Sequence, residues 1–218
     1  MTFYHDFSFL GLNLPQKPGI YGPNQKAKEP VIARYLLSAV GELRAREVSP
    51  ITVAELFCAD AYYSFLARRF GADRCYAFDN NKDGHLPEAH NIQTLLKDHC
   101  VEIRETEVAK IPLEFSTSIV INAGGLYHLN DPLSCLEHSY ATCAHYLIVQ
   151  SVITTATEDE NYFEAPAPGW DWGCRFTYKY LENEIRRRDY EIIDSDRNLL
   201  LGNDRLEDRG SAYFLIRK

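Results

Sequence analysis

The chain has 218 residues, 45% of them hydrophobic, which suits one α/β domain with a well-buried core. No apolar run approaches the roughly 18–20 residues of a membrane span, and Met1–Asp6 lacks the basic and apolar regions of a signal peptide. The net charge is −8, and only residues 1–50 carry more Lys and Arg than acids, six against four, which argues against non-specific nucleic-acid binding.

Residues 1–28 hold Pro15, Pro18, Gly19, Gly22 and Pro23 among the aromatics Phe3, Tyr4, Phe7, Phe9 and Tyr21, and are expected to form an irregular arm. Such an arm either packs on the domain surface or lids a ligand site. From residue 29 the spacing of Val31, Ile32, Tyr35, Leu36, Val40 and Leu43 predicts a helix over 29–45, with Pro30 at its first turn. Strands are then expected at about 51–57, 74–79, 100–106, 117–123, 145–152, 190–196 and 211–217. Helices are expected at about 62–71, 86–98, 131–143 and 177–188. The alternation predicts a Rossmann-like, doubly wound α/β sheet over residues 29–218, mostly parallel. No helix separates the last two strands, so the sheet should finish in an antiparallel C-terminal hairpin.

The six cysteines, Cys58, Cys75, Cys100, Cys135, Cys143 and Cys174, form no C-x-x-C pair and read as buried free thiols of a cytoplasmic protein. Neither they nor the dispersed histidines have metal-ligand spacing, so no metal site is expected.

Val53–Asn80 carries the first functional signal. An apolar strand leads into a turn of small residues, then a helix, then a second strand ending in Asp79. An acid about 20 residues past such a turn is suited to a ribose diol. The turn lacks G-x-G-x-x-G, which disfavours NAD and FAD, and no P-loop is present. Phe57, Ala59 and Ala61 stand where glycines would be, so the backbone is expected to stay in regions that alanine tolerates, with weaker or altered cofactor binding as a consequence.

Glu55-Leu56-Phe57-Cys58-Ala59-Asp60-Ala61-Tyr62-Tyr63-Ser64 resembles the first motif of class I S-adenosylmethionine-dependent methyltransferases. Phe78-Asp79-Asn80 is similar to the second motif, and Ser118 to Leu133, with its Gly124-Gly125-Leu126-Tyr127-His128-Leu129, to the fourth. The Leu-Tyr-His-Leu-x-Asp-Pro-Leu form is similar to the subgroup around the tRNA wobble-uridine carboxymethyl-transfer enzyme. The resemblance spans about residues 30–218 and implies S-adenosyl-L-methionine as cofactor. It implies that Glu55 supports the methionine amino group, and that Cys58, Ala59, Asp60 and Ala61 pass beside the methionine. It implies that Asp79 holds the ribose, with Asn80, Glu107 and Val108 at the adenine and Asn122, Ala123 and Gly124 beside the sulfonium. Lys26 could read the carboxylate of a carboxylated cofactor like that of the neighbouring subgroup. Asp60 alternatively caps the helix at Tyr62.

Methyl transfer needs a base only when the acceptor must lose a proton. His128 is the candidate base because histidine titrates near neutrality, and Tyr127 is a candidate to orient the donor or line the pocket; alternatively His128 caps the next helix and Tyr127 only packs. Asn161–Tyr178 holds both tryptophans and reads as an acceptor wall, with Trp170, Trp172, Arg175 and Phe176 as candidate contacts and Tyr21 added from the arm. These features point to a small-molecule acceptor, with an RNA base or a non-catalytic cofactor-fold protein as alternatives. No membrane partner is expected, and a homodimer is compatible with the sequence.

Overall fold

The computed structural model describes all 218 residues, Met1–Lys218. Five helices and nine strands follow one another as α1 (Tyr21–Ala45), β1 (Thr52–Leu56), α2 (Tyr62–Arg69), β2 (Arg74–Asp79), α3 (Leu86–Leu96), β3 (Val101–Glu105), β4 (Thr117–Ala123), α4 (Pro132–Ala141), β5 (Cys143–Ile153), β6 (Phe163–Glu164), β7 (Arg175–Phe176), α5 (Tyr178–Arg187), β8 (Glu191–Leu199) and β9 (Gly210–Arg217). Seven strands form one sheet in the order β3-β2-β1-β4-β5-β9-β8. β1 pairs in parallel with β2 through Val53↔Cys75 and with β4 through Val53↔Ile119, and strand order reverses between β1 and β4. A ligand crevice is expected outside the carboxyl ends of the strands at such a switch point. β9 runs antiparallel to both β5 and β8, so the expected hairpin closes the sheet.

Helices cover both faces, which is why the central strands are apolar without alternation. β1 is buried from Val53 to Leu56, and β4 from Thr117 to Asn122. One core of 30 buried residues lies beneath α1 and α2 and includes Tyr35, Leu36, Tyr62, Phe65 and Ile121. A second, of 20, lies beneath α4 and α5 and includes Leu136, Leu147, Phe176, Ile185 and Phe214.

Two expectations need correction. The first helix begins at Tyr21, eight residues before the predicted start, and Pro30 lies inside it. Pro23 rather than Pro30 occupies the first turn, where a missing N–H costs no helical bond. Pro30 leaves the Lys26 carbonyl without its helical donor, a loss water can offset because Lys26 is exposed. The irregular arm is therefore residues 1–20, anchored by a bridge between Phe3 and Gln16. The aromatic loop after β5 also contains a two-stranded hairpin, β6 with β7, pairing Phe163↔Phe176 and Glu164↔Arg175. Strands this short carry too little periodicity to be read from sequence.

Candidate functional site

β1 runs into the turn Phe57–Ala61, where alternate residues are left-handed: Phe57 (φ 57°), Ala59 (φ 48°) and Ala61 (φ 62°). The expectation that a glycine-free turn would avoid such conformations is overturned. Left-handed backbone costs about 1–2 kcal/mol for a residue with a Cβ, and it persists where the surroundings over-determine it. Here Cys58 N–H donates to the Phe78 carbonyl at 3.0 Å, Ala61 N–H to the Cys58 carbonyl at 2.7 Å, and Ala59 N–H to Asp79 Oδ2 at 3.1 Å. Neighbouring strand β2 holds the turn in shape.

The two acids of this motif are engaged by the protein. Glu55 is buried and accepts hydrogen bonds from Ser64 N–H (2.7 Å), Ser64 Oγ (2.6 Å) and Tyr63 N–H (3.3 Å). It thus does from β1 what an N-cap side chain does for α2, whose own cap residue, Ala61, has none to offer. Burial pushes the Glu55 carboxyl up to about 8, against the opposing pull of the Ser64 and Tyr63 hydrogen bonds. Asp60 does not cap α2 either. It is fully buried and takes His5 N–H at 2.8 Å and His5 Nδ1 at 2.5 Å, and the His5 ring stacks on Tyr62 at 4.9 Å. The arm is therefore fastened to the motif turn, a contact between residues 55 apart that no local pattern announces.

Asp79, at the end of β2, is half-buried and lines a cavity of about 520 Å³ together with Asn80, Glu107, Val108 and Phe57. Its Oδ1 accepts from Asn81 N–H at 2.7 Å, so the carboxylate is fixed from both sides. Asn130, Asp131, Cys135 and His138 close the far wall, and sequence reasoning did not find them. Asn130 and Asp131 lead into α4 and Cys135 and His138 lie along it; the helix N-terminus is capped by Asp131 through Ser134 N–H at 3.1 Å, not by His128.

A second cavity, about 220 Å³, collects Tyr21, Tyr127, His128, Trp170, Trp172 and Arg175, six residues singled out from the sequence. Tyr4, His5, Asn24 and Lys28 also line it and were missed: Asn24 and Lys28 because the start of α1 was misread, Tyr4 and His5 because the arm is placed by long-range contacts such as His5 to Asp60. His128 and Trp172 stack nearly parallel, with centroids 5.3 Å apart. Burial lowers the His128 imidazole to about 4 and raises the Tyr127 phenol to about 12, so both rings are neutral near pH 7. Arg175 is buried, donates from Nε to Asp208 Oδ1 at 2.7 Å, and lies over the Tyr127 ring at 5.3 Å.

Other expected contacts line neither cavity: Glu55, Cys58, Ala59, Asp60, Ala61, Asn122, Ala123, Gly124 and Phe176. Asn122 is fully buried and donates from Nδ2 to Ser139 Oγ of α4 at 2.9 Å, facing the core rather than the crevice. Cys58 is buried and its thiol is raised well above its ordinary value by desolvation. Phe176 sits in the core beneath α5 because its neighbour Arg175 takes the outward position on β7. Lys26 lies in a separate shallow cleft with Asp6 and Glu29.

The two cavities share no lining residue, and Phe57 lines only the first. Its ring lies against Gly125, where a Cβ would collide with it, while Tyr127 and His128 line the other side. Gly125 is thus required by close approach of the ring.

No protein-family model matches the chain, and no curated protein matches it in sequence. Solved structures do match in fold. The 1,6-didemethyltoxoflavin-N1-methyltransferase of Burkholderia thailandensis, with bound 1,6-didemethyltoxoflavin and S-adenosylhomocysteine, is 15% identical at a TM-score of 0.61, covering 89% of this chain and 82% of that one. The magnesium protoporphyrin IX methyltransferase of Synechocystis PCC 6803, with bound S-adenosylhomocysteine, is also 15% identical at 0.61, covering 85% and 83%. The N-terminal domain of EvdMO1, solved with S-adenosylhomocysteine and D-fucose, is 15% identical at 0.63, covering 95% and 87%. The chain has the Rossmann-like α/β fold of these proteins, two of them methyltransferases.

Proposed function

We propose that the chain is an S-adenosylmethionine-dependent methyltransferase acting on a small-molecule acceptor. The observation that carries this reading is Asp79, a fixed carboxylate at the end of β2, lining a cavity at the point where strand order reverses. Asp79 would hold the ribose hydroxyls, with Glu107, Val108 and Asn80 at the base, so the nucleoside half of the cofactor fits the residues present. The methionyl half would need the Phe57 ring to leave Gly125, where it fills the space beside the fourth-motif turn. When bound, the cofactor supplies an activated methyl group, which leaves the protein to position the acceptor and exclude water.

The second cavity is the proposed acceptor site. Its size suits a small molecule rather than a nucleic-acid strand, and the net charge of −8 agrees. Tyr127 and His128 lie at its junction with the fourth-motif turn. A neutral His128 can take a proton from an acceptor hydroxyl or amine, and a ring held near 4 is a weak base suited to an acidic acceptor.

One observation favours a second reading, a non-catalytic nucleoside-binding protein, and it is again Phe57 over Gly125. Calorimetry with S-adenosylmethionine, S-adenosylhomocysteine and adenosine separates the two. A methyltransferase binds the first two more tightly than adenosine, and Phe57→Ala strengthens that preference. A nucleoside binder shows no preference. Asp79→Asn should weaken either by about 1–3 kcal/mol, the scale of a lost buried polar contact. Absence of binding by all three at millimolar concentration sinks both readings.

A further inference from the structure

The second cavity has a charge that nothing in the protein balances. Tyr21, Asn24 and Lys28 are spaced i, i+3 and i+7 on α1, so they share one helical face, and all three line this cavity. Arg175, the other cation there, is neutralised by Asp208. Lys28 makes no hydrogen bond and no ion pair; its surroundings act on its ammonium through desolvation alone, with no carboxylate near enough to oppose it. That desolvation lowers the amine to about 8, a value at which it is still largely protonated near neutrality. Lys28 is half-buried, and a partly desolvated cation without a partner favours an opposite charge beside it.

The rest of the wall defines the shape of what brings that charge. Tyr21, Tyr127 and the stacked His128 and Trp172 offer flat aromatic faces. The volume of about 220 Å³ is below the roughly 300–1,000 Å³ of drug-sized sites, which limits the occupant to one or two rings.

We infer that this cavity binds a small planar aromatic anion, an aryl carboxylate, with Lys28 as its counter-charge. The inference rests on the reading of this cavity as the acceptor site and names the class of acceptor. Lys28 is then the specificity-determining residue that separates acids from their neutral isosteres.

Both tryptophans of the chain, Trp170 and Trp172, line the cavity, so intrinsic fluorescence reports its occupancy without any cofactor. The probes are 4-hydroxybenzoate and indole-3-carboxylate, each against its carboxamide. At least one acid should quench at tenfold or more lower concentration than its amide. Lys28→Met should remove the difference, Lys28→Arg should keep it, and neither variant should melt below the wild-type temperature. Equal quenching by acid and amide in the wild type overturns the inference. So does a preference that survives Lys28→Met, or no quenching by either acid at about 10 mM, beyond the range of specific binding. Because no cofactor is present, this outcome is independent of S-adenosylmethionine binding, which tests the methyltransferase reading separately.

Discussion

Replacing Ala59 by glycine should make the protein more stable, although glycine ordinarily weakens a fold. Ala59 is half-buried at φ 48°, and its backbone bonds in the turn, N–H to Asp79 Oδ2 and carbonyl from Cys58 Sγ, survive the change. Removing the Cβ relieves about 1–2 kcal/mol of left-handed strain. The added freedom of the unfolded chain takes back about 0.4–1 kcal/mol. The net gain is about 0.5–1 kcal/mol, or a rise in melting temperature of about 1–4 °C for a chain of this length. Ala61→Gly should be close to neutral, because Ala61 is fully buried and loses about 0.8 kcal/mol of methyl burial as well. Ala33→Gly, inside α1, is the control and should cost about 1 kcal/mol. Urea melts read all three as shifts in midpoint at unchanged slope. If Ala59→Gly destabilises as much as Ala33→Gly, the turn is not left-handed and the account of the glycine-free motif fails.

The buried Glu55 predicts a pH dependence of known sign. Its folded value, about 8, lies above its ordinary one, so the folded state binds the extra proton and wild-type stability falls as pH rises from about 4.5 to 8. Glu55→Gln removes this contribution, so the melting temperature of the wild type relative to the variant should drop between pH 5 and 8; a constant difference refutes it. His5→Ala strips Asp60 of its imidazole partner inside the core and should cost about 3 kcal/mol. The same variant should expose residues 1–20 to limited proteolysis ahead of the sheet, and an arm as resistant as the wild type's would show that Asp60 does not hold it.

The motif turn and the arm show how far sequence reading reached. Asp79 was legible because a strand, a turn and a helix of the right lengths fix where the second strand ends, whatever else folds around it. Trp170, Trp172, Tyr127 and His128 were legible as aromatic or titratable residues in loops at strand ends, and the structure brings them into one cavity. Phe176 was misjudged because its neighbours in sequence do not tell which face of β7 points inward. Lys28 was missed because a proline at 30 looked like a helix start, when Pro23 already served.

Sequence by itself determined the alternation of strands and helices, the antiparallel finish and the acid at the end of β2. These follow from periodicity and from turn lengths, which are properties of neighbouring residues. Only the tertiary structure decided that Glu55 caps α2 and that His5 seals Asp60. Only there does the Phe57 ring lie against Gly125 and Lys28 stand without a counter-charge. Each of these depends on side chains far apart in the chain meeting in a low-dielectric interior, where a polar group must find its partner and a ring must find its space.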